Sequence, residues 1–201
     1  MDILIGTQNQ GKLQEYRDLL KDTPINIVGL DDIGLGKLDV DETGTTFEAN
    51  AIIKAQAYAQ ASKMYALADD SGLCVDALEG RPGIYSARYG GEGLDNAGRR
   101  QKLLGELASV PEDKRTARFE CVIVVASPDG KSTLMAQGTC EGRIALRESD
   151  GDSGFGYDPI FIPAGHDKTF ADIPESEKNA MSHRGIALNN LTPKLNTLID
   201  G

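Results

Sequence analysis

A short apolar run at the N-terminus, Asp2 to Gly6, breaks into the polar stretch Thr7-Gln8-Asn9-Gln10-Gly11-Lys12. A helical pattern follows, with Leu13, Tyr16, Leu19 and Leu20 on one face. This order predicts a strand, a glycine-containing loop and a helix start. Unpaired N–H groups at a helix N-terminus point into such a loop and favour an anion there. Gly6 to Lys12 matches the opening G-x-x-x-x-G-K of a P-loop, but the next residue is Leu13, where a Ser or Thr hydroxyl is needed for Mg2+. A P-loop kinase or triphosphatase is therefore disfavoured. Phosphate binding by Thr7 to Lys12 survives, beside the plainer reading of a βα turn with Lys12 in solvent.

The second feature is Ala68 to Gly91, where Asp69 and Asp70 follow the apolar run Tyr65-Ala66-Leu67-Ala68 and precede a Gly- and Pro-punctuated loop with Arg81, Arg88 and two tyrosines. Neighbouring like charges repel, and a metal ion or a shared proton is the usual relief. Asp70 is thus expected to be the chemical centre of a magnesium-dependent enzyme acting on a phosphorylated small molecule. A surface turn with two solvated aspartates is the plain alternative. A net charge of −10 disfavours nucleic acid and anionic membrane as partners. It does not exclude a nucleotide, because distant carboxylates are screened beyond about 10 Å. No apolar run approaches the roughly 20 residues of a membrane span, and the first residues lack a basic signal segment. Cys74, Cys121 and Cys140 show no C-x-x-C spacing, which fits a reducing cytoplasm. At 201 residues, one domain over 1–201 is the default.

The rest of the chain reads as alternating elements. Asn26 to Leu30 is expected as a strand and 31–43 as an acidic connection. Thr45-Thr46-Phe47-Glu48 has capping-box spacing, which predicts a helix capped by Thr45 and running to about Lys63. Asn50 and Lys54 share a face of it with Phe47. Asp95 to Leu107 is expected as a helix whose Arg99, Arg100 and Lys102 form a solvated face. Thr116 to Ser127 and Ser132 to Cys140 are expected as a hairpin about Pro128-Asp129-Gly130, with Cys121 and Cys140 in the core. Residues 149–156 form a second glycine-rich loop leading to Tyr157-Asp158-Pro159, a plausible cradle for a flat ring with Phe155 stacking. A short helix from Pro174 to Met181 carries Lys178, and a last amphipathic helix follows Ser182-His183-Arg184, kinked or interrupted at Pro193.

Taken together, five segments resemble the inosine triphosphate pyrophosphatase family, the bacterial dITP/XTP pyrophosphatases. They are Thr7 to Lys12; Glu42-Thr43-Gly44 with Thr46 to Ala51 and Lys54; Ala68 to Leu73 with Pro82 to Tyr89; Gly154 to Phe161; and Ser182-His183-Arg184. The resemblance spans residues 2 to about 190. It implies an α/β protein in which a long twisted mixed sheet floors a cleft between two α/β lobes, with no separable linker, and a homodimer. It also implies Mg2+-dependent hydrolysis of a nucleoside triphosphate between its α- and β-phosphates. Deaminated purine nucleotides (ITP, dITP and XTP) would be the substrates, which makes the chain a cleanser of the nucleotide pool. Gln8 departs from the glycine found in many members.

Carried onto this chain, the resemblance implies that Thr7, Gln8, Asn9, Gln10, Gly11 and Lys12 hold the triphosphate, with Lys54 and Lys178 as further cations. Glu42 and Asp70 would hold Mg2+, Asp70 would be general base, Ser71 would contact substrate and Asp69 would support. Phe155, Gly156, Tyr157 and Asp158 would cradle the purine, with Asp158, His183 and Arg184 at its edge and Arg184 donating to O6. Two rivals remain. One is the septum-formation-inhibitor-type pyrophosphatases, which act on pyrimidine or modified nucleotides. The other is a nucleotide sensor that does not turn over.

Overall fold

The computed structural model describes residues 1–91, 93–151 and 153–199. Asp152 of the glycine-rich loop and the last two residues of the expected domain lie outside the described residues. In chain order the elements are β1 (Asp2–Ile5), α1 (Gln10–Leu20), β2 (Asn26–Gly29), α2 (Phe47–Ser62), β3 (Tyr65–Val75), α3 (Asn96–Glu106), β4 (Thr116–Ala126), β5 (Ser132–Ile144), β6 (Phe161–Pro163), α4 (Glu175–Met181) and α5 (His183–Ile199). Among the described residues one sheet has the strand order β2-β1-β3-β4-β5-β6. β1 pairs in parallel with β2 and β3, and β5 antiparallel with β6, so the sheet is mixed and the class is α/β. Neighbours β4 and β5 are joined at the expected turn, where Gly130 N–H donates to Ser127 O.

The chain divides into two compact units: Met1–Asp70, Cys121–Gly138 and Arg184–Gly201; and Ser71–Glu120 with Thr139–His183. β3 and β4 each run from one unit into the other. In the first unit the two-residue alternation of strands sorts side chains to opposite faces of the sheet. Ile3, Ile5, Leu67 and Cys121 pack with Leu13, Tyr16 and Leu20 of α1 and Leu188, Leu191 and Leu195 of α5. Leu4, Ala66, Ala68 and Val122 pack with Ala51, Ala55 and Tyr58 of α2. The approach of α2 depends on Gly6, where a Cβ would sit 2.5 Å from the Tyr58 ring. In the second unit Leu73, Val75, Leu103, Phe119, Tyr157, Phe161 and Phe170 form one core.

Four expectations are corrected. Asp69 and Asp70 lie within β3 and are buried, which overturns the alternative of a surface turn with two solvated aspartates. The cap of α2 is Thr46, whose extended backbone lets Oγ1 accept the Ala49 N–H; Thr45 lies outside the helix. β5 continues to Ile144, because β6 supplies a partner for Gly142 to Ile144. α5 continues through Pro193. The carbonyl that the proline leaves without an N–H is that of Asn189, which is exposed to solvent.

Candidate active site

β1 ends at Ile5 and α1 begins at Gln10, so the phosphate-type loop is tight and Lys12 sits in the first helical turn. Asn9 caps α1 by accepting the Lys12 N–H at 3.2 Å, and Thr7 Oγ1 accepts the Asn9 N–H at 3.2 Å. Gln8 donates to Leu38 O at 3.0 Å, which ties the loop to the acidic connection. Thr7 is half-buried, while Gln8, Asn9 and Gln10 are exposed.

The adjacent aspartates do not share a proton, because strand alternation turns them to opposite faces. Asp69 faces α1 and α5. Its Oδ2 accepts from Lys12 Nζ at 2.8 Å and Arg184 Nη2 at 3.3 Å, with Cys121 Sγ at 3.8 Å. Arg184 also donates through Nη1 to Glu15, and its guanidinium lies 6.0 Å from the Tyr16 ring centre. Burial alone would raise the Asp69 carboxyl, but Lys12, Arg184 and Lys54 overcome it and hold it well below the carboxylate range.

Asp70 faces α2. Asn50 donates to its Oδ2 at 3.0 Å, and Lys54 Nζ lies 3.3 Å from its Oδ1 and 2.5 Å from Glu42 Oε1. Asn50 in turn accepts the Gly44 N–H at 2.8 Å, which fixes the segment just after Glu42. Burial raises the Asp70 pKa, against the lowering by Lys54 and Asn50. Burial opposes the charge on Lys54, yet Asp70, Asp69 and Glu42 raise its pKa. Glu42 and Asp70 thus converge on one cationic position. Among the described residues no three His, Cys, Asp or Glu side chains form a complete metal cage. Mg2+ is usually held by one or two carboxylates, with phosphate oxygens and water completing its shell. A pair of hard oxygen donors around one cation fits that ion.

The second unit holds Ser71, half-buried in β3, and the loop Phe155–Asp158. Asp158 Oδ2 accepts the Phe155 N–H and Lys178 Nζ, each at 2.8 Å. The Lys178 ammonium is 5.2 Å from the Phe155 ring centre. At Gly154, whose φ is +76°, a Cβ would meet Asp158 Oδ2 at 2.2 Å, so only glycine allows this turn. Arg100 donates to Gly156 O at 2.8 Å. His183 stacks on Phe119, centroids 4.7 Å apart.

Several residues have partners that the sequence does not show. Arg184, expected at a purine edge, is 1% exposed and turned on Glu15 and Asp69. Lys178, expected among the phosphate cations, pairs with Asp158 of the Phe155–Asp158 loop. Tyr157 is buried, and its hydroxyl donates to Ser86 O. Arg100, expected in solvent, is on Gly156 and Glu148. Glu15 goes unmarked in the sequence, and Ser86 stands there only within Pro82 to Tyr89, with no role of its own. Glu15 lies beside Tyr16 on the buried side of α1, a position that a one-dimensional pattern assigns to surface charge. Tyr89, with no assigned role, donates to Glu106 and packs in the second unit's core.

Residues 3–194 match the model of the Ham1 family. The chain is 44% identical over 196 residues to the dITP/XTP pyrophosphatase of Oceanobacillus iheyensis, covering 98% of each. It is 47% identical over 198 residues to that of Desulforamulus reducens, covering 98% of this chain and 97% of the relative. A solved HAM1 protein from Coxiella burnetii superposes with a TM-score of 0.86 at 41% identity, covering 98% of this chain and 99% of the other. The parallel β1–β3 pair with its phosphate-type loop, the divided aspartates of β3 and the near-full-length match agree: this chain belongs to the Ham1 family.

Proposed function

We propose that this chain hydrolyses deaminated purine nucleoside triphosphates (ITP, dITP and XTP) to the monophosphate and pyrophosphate, and so cleanses the nucleotide pool. The observation that carries the chemistry is Asp70, held by Asn50 and Lys54, with Glu42 on the same ammonium. The shared name of the 44% and 47% identical relatives supports the substrate class.

Glu42 and Asp70 would hold Mg2+, and Lys54 would give way to it or join it. When bound, the ion supplies charge neutralisation and Lewis-acid activation of the phosphates. Asp70 takes the proton of the attacking water, and Asn50 orients its carboxylate for that transfer. Thr7 to Lys12 hold the phosphates through the N-terminal N–H groups of α1, the Thr7 and Asn9 side chains and Lys12, with Lys54 adding charge. This local donor set lets a chain of net charge −10 take a polyanion. Asp69 and Arg184 act through Lys12, whose ammonium Asp69 fixes. Ser71 contacts the substrate.

In the second unit Phe155 stacks on the purine, with Asp158, Lys178 and His183 reading its edge. Hypoxanthine and xanthine offer a 6-oxo acceptor and an N1–H donor, and adenine offers the reverse. A donor such as Lys178 at O6 would face the adenine amino group, a buried mismatch worth orders of magnitude in discrimination. We further propose that residues 1–201 work as one catalytic domain, since β3 and β4 belong to both units. The chain acts as a homodimer in the cytoplasm; three buried free cysteines support a reducing compartment.

Product analysis with a panel of nucleoside triphosphates and Mg2+ tests the reading. Pyrophosphate and a monophosphate are expected, with ITP and XTP far ahead of ATP. Release of inorganic phosphate refutes α–β cleavage, and equal rates on ATP and ITP refute base selection. A faster rate on pyrimidine or modified nucleotides would favour the septum-formation-inhibitor type, and no turnover a sensor.

A further inference from the structure

The 3-10 helix Gly83–Arg88 has no part in the chemistry derived above, yet one of its residues meets two functional segments. Ser86 is 8% exposed. Its hydroxyl donates to Gly83 O at 2.7 Å, which leaves the oxygen lone pairs for the Leu73 N–H of β3, at 2.9 Å. Its backbone carbonyl accepts the Tyr157 hydroxyl at 2.9 Å. Leu73 lies two residues beyond Ser71 and three beyond Asp70 in the same strand. Tyr157 lies between Phe155 and Asp158. The neighbouring backbone is held as well, for Val75 N–H donates to Arg81 O at 3.2 Å and Cys74 bridges to Pro82.

We propose that Ser86 is a positioning residue that ties the loop cradling the purine to the strand carrying Asp70 and Ser71, so that a correctly seated base speeds turnover rather than only tightening binding. The inference rests on the base-cradling part of the proposed function. A strand is stiff along its length, and Phe155, Tyr157 and Asp158 form one hydrogen-bonded turn, since Asp158 N–H donates to Phe155 O and Phe155 N–H to Asp158. A ring in place on Phe155 therefore fixes Tyr157, Tyr157 fixes the Ser86 carbonyl, and the Ser86 hydroxyl fixes Leu73. Binding energy at the base is converted into alignment at the reacting end, which raises kcat. Adenine, poorly seated, gains none of it.

The test is steady-state pyrophosphate release from ITP and ATP with Mg2+, each full-length variant assayed below its own melting temperature. Ser86→Ala and Tyr157→Phe should each lower kcat on ITP by about tenfold, with KM and the ATP rate within about twofold, since misplacement well under 1 Å is enough for that. The double variant should be no more than about twofold worse than the weaker single one, because both cut one connection. Ser86→Thr, which keeps the hydroxyl, should recover most of the rate. Equal losses on ITP and ATP, a double variant equal to the product of the singles, or no recovery by threonine would overturn the proposal. Tyr157→Phe keeps the buried ring, so its kcat and KM decide the matter if Ser86→Ala does not fold. A Phe155→Ala arm separates the two readings. If it leaves the ITP-over-ATP ratio unchanged, the base assignment fails and the proposal with it. If it collapses that ratio while Ser86→Ala and Tyr157→Phe do not, only the Ser86 proposal falls.

Discussion

Replacing Arg184 by methionine distinguishes a buried positioning role from a role at the purine edge. The guanidinium is 1% exposed and lies against two carboxylates that are each 3% exposed, Glu15 and Asp69. Burial opposes its charge, and the two carboxylates more than restore it. Methionine fills much of the volume but leaves both carboxylates without the guanidinium, and Asp69 with Lys12. Removing one partner of such a buried cluster costs about 3–5 kcal/mol. For a chain of this size each kcal/mol lowers Tm by about 2–4 °C, so the expected drop is roughly 6–20 °C. Lysine should recover little, because its compact ammonium lacks the planar fork by which Arg184 reaches Glu15 through Nη1 and Asp69 through Nη2.

The assay is a thermal melt of Arg184→Met, Glu15→Gln and the double variant, beside kinetics on ITP and ATP. Removing both charges relieves the uncompensated carboxylate, so the double variant should be more stable than the sum of the singles, by about 1 kcal/mol or more. A guanidinium reading O6 gives the opposite pattern: an unmoved Tm, a silent Glu15→Gln, and a lost preference for ITP. A Tm for Arg184→Met within about 2 °C of the parent, together with additive double-variant effects, would refute the buried-cluster reasoning.

Asp70→Asn should keep the contact with Asn50 but lose the proton acceptor, lowering kcat about 10²- to 10⁴-fold while ITP binding in equilibrium dialysis stays within about tenfold; near-normal turnover would remove Asp70 as the base. Chelation by EDTA should abolish turnover and added Mg2+ restore it, with Glu42→Gln raising the half-saturating Mg2+ by about tenfold; an unchanged Mg2+ requirement would exclude Glu42 as a ligand. Burial pushes the Cys74 thiol up to about 11 and the Cys140 thiol to about 12. Because a raised pKa keeps a thiol protonated to higher pH, the native protein at pH 8 should leave all three cysteines unreacted with a thiol-disulfide reagent over the time in which unfolded chain reacts fully; one fast thiol in the native state would contradict their burial.

What the sequence revealed about this molecule depended on how far apart the interacting residues lie. The strand–loop–helix start, the α2 segment and the β4–β5 turn are local, and their periodicity and turn residues place them to within a residue or two. Lys54 and Asn50 were visible as one helix face because i, i+4 spacing is local too, although what they face was not. The aspartate pair shows the limit. Adjacent charges suggested one shared site, but in a strand adjacency means opposite faces, and only the extent of β3 to Val75 reveals it. After that, Asp69 belongs with Lys12 and Arg184, and Asp70 with Asn50, Lys54 and Glu42. The contacts that the sequence did not reveal share a cause. Arg184 meets Glu15 across 169 positions, Arg100 meets Gly156 across 56, and Tyr157 meets Ser86 across 71. A buried charge or hydroxyl carries no mark of burial until its distant partner is known. The same reasoning accounts for the Pro82–Tyr89 segment, which looked like a loop without chemistry: its contribution is a carbonyl and a serine hydroxyl aimed at other elements, and a carbonyl's target is written nowhere in the residue that bears it.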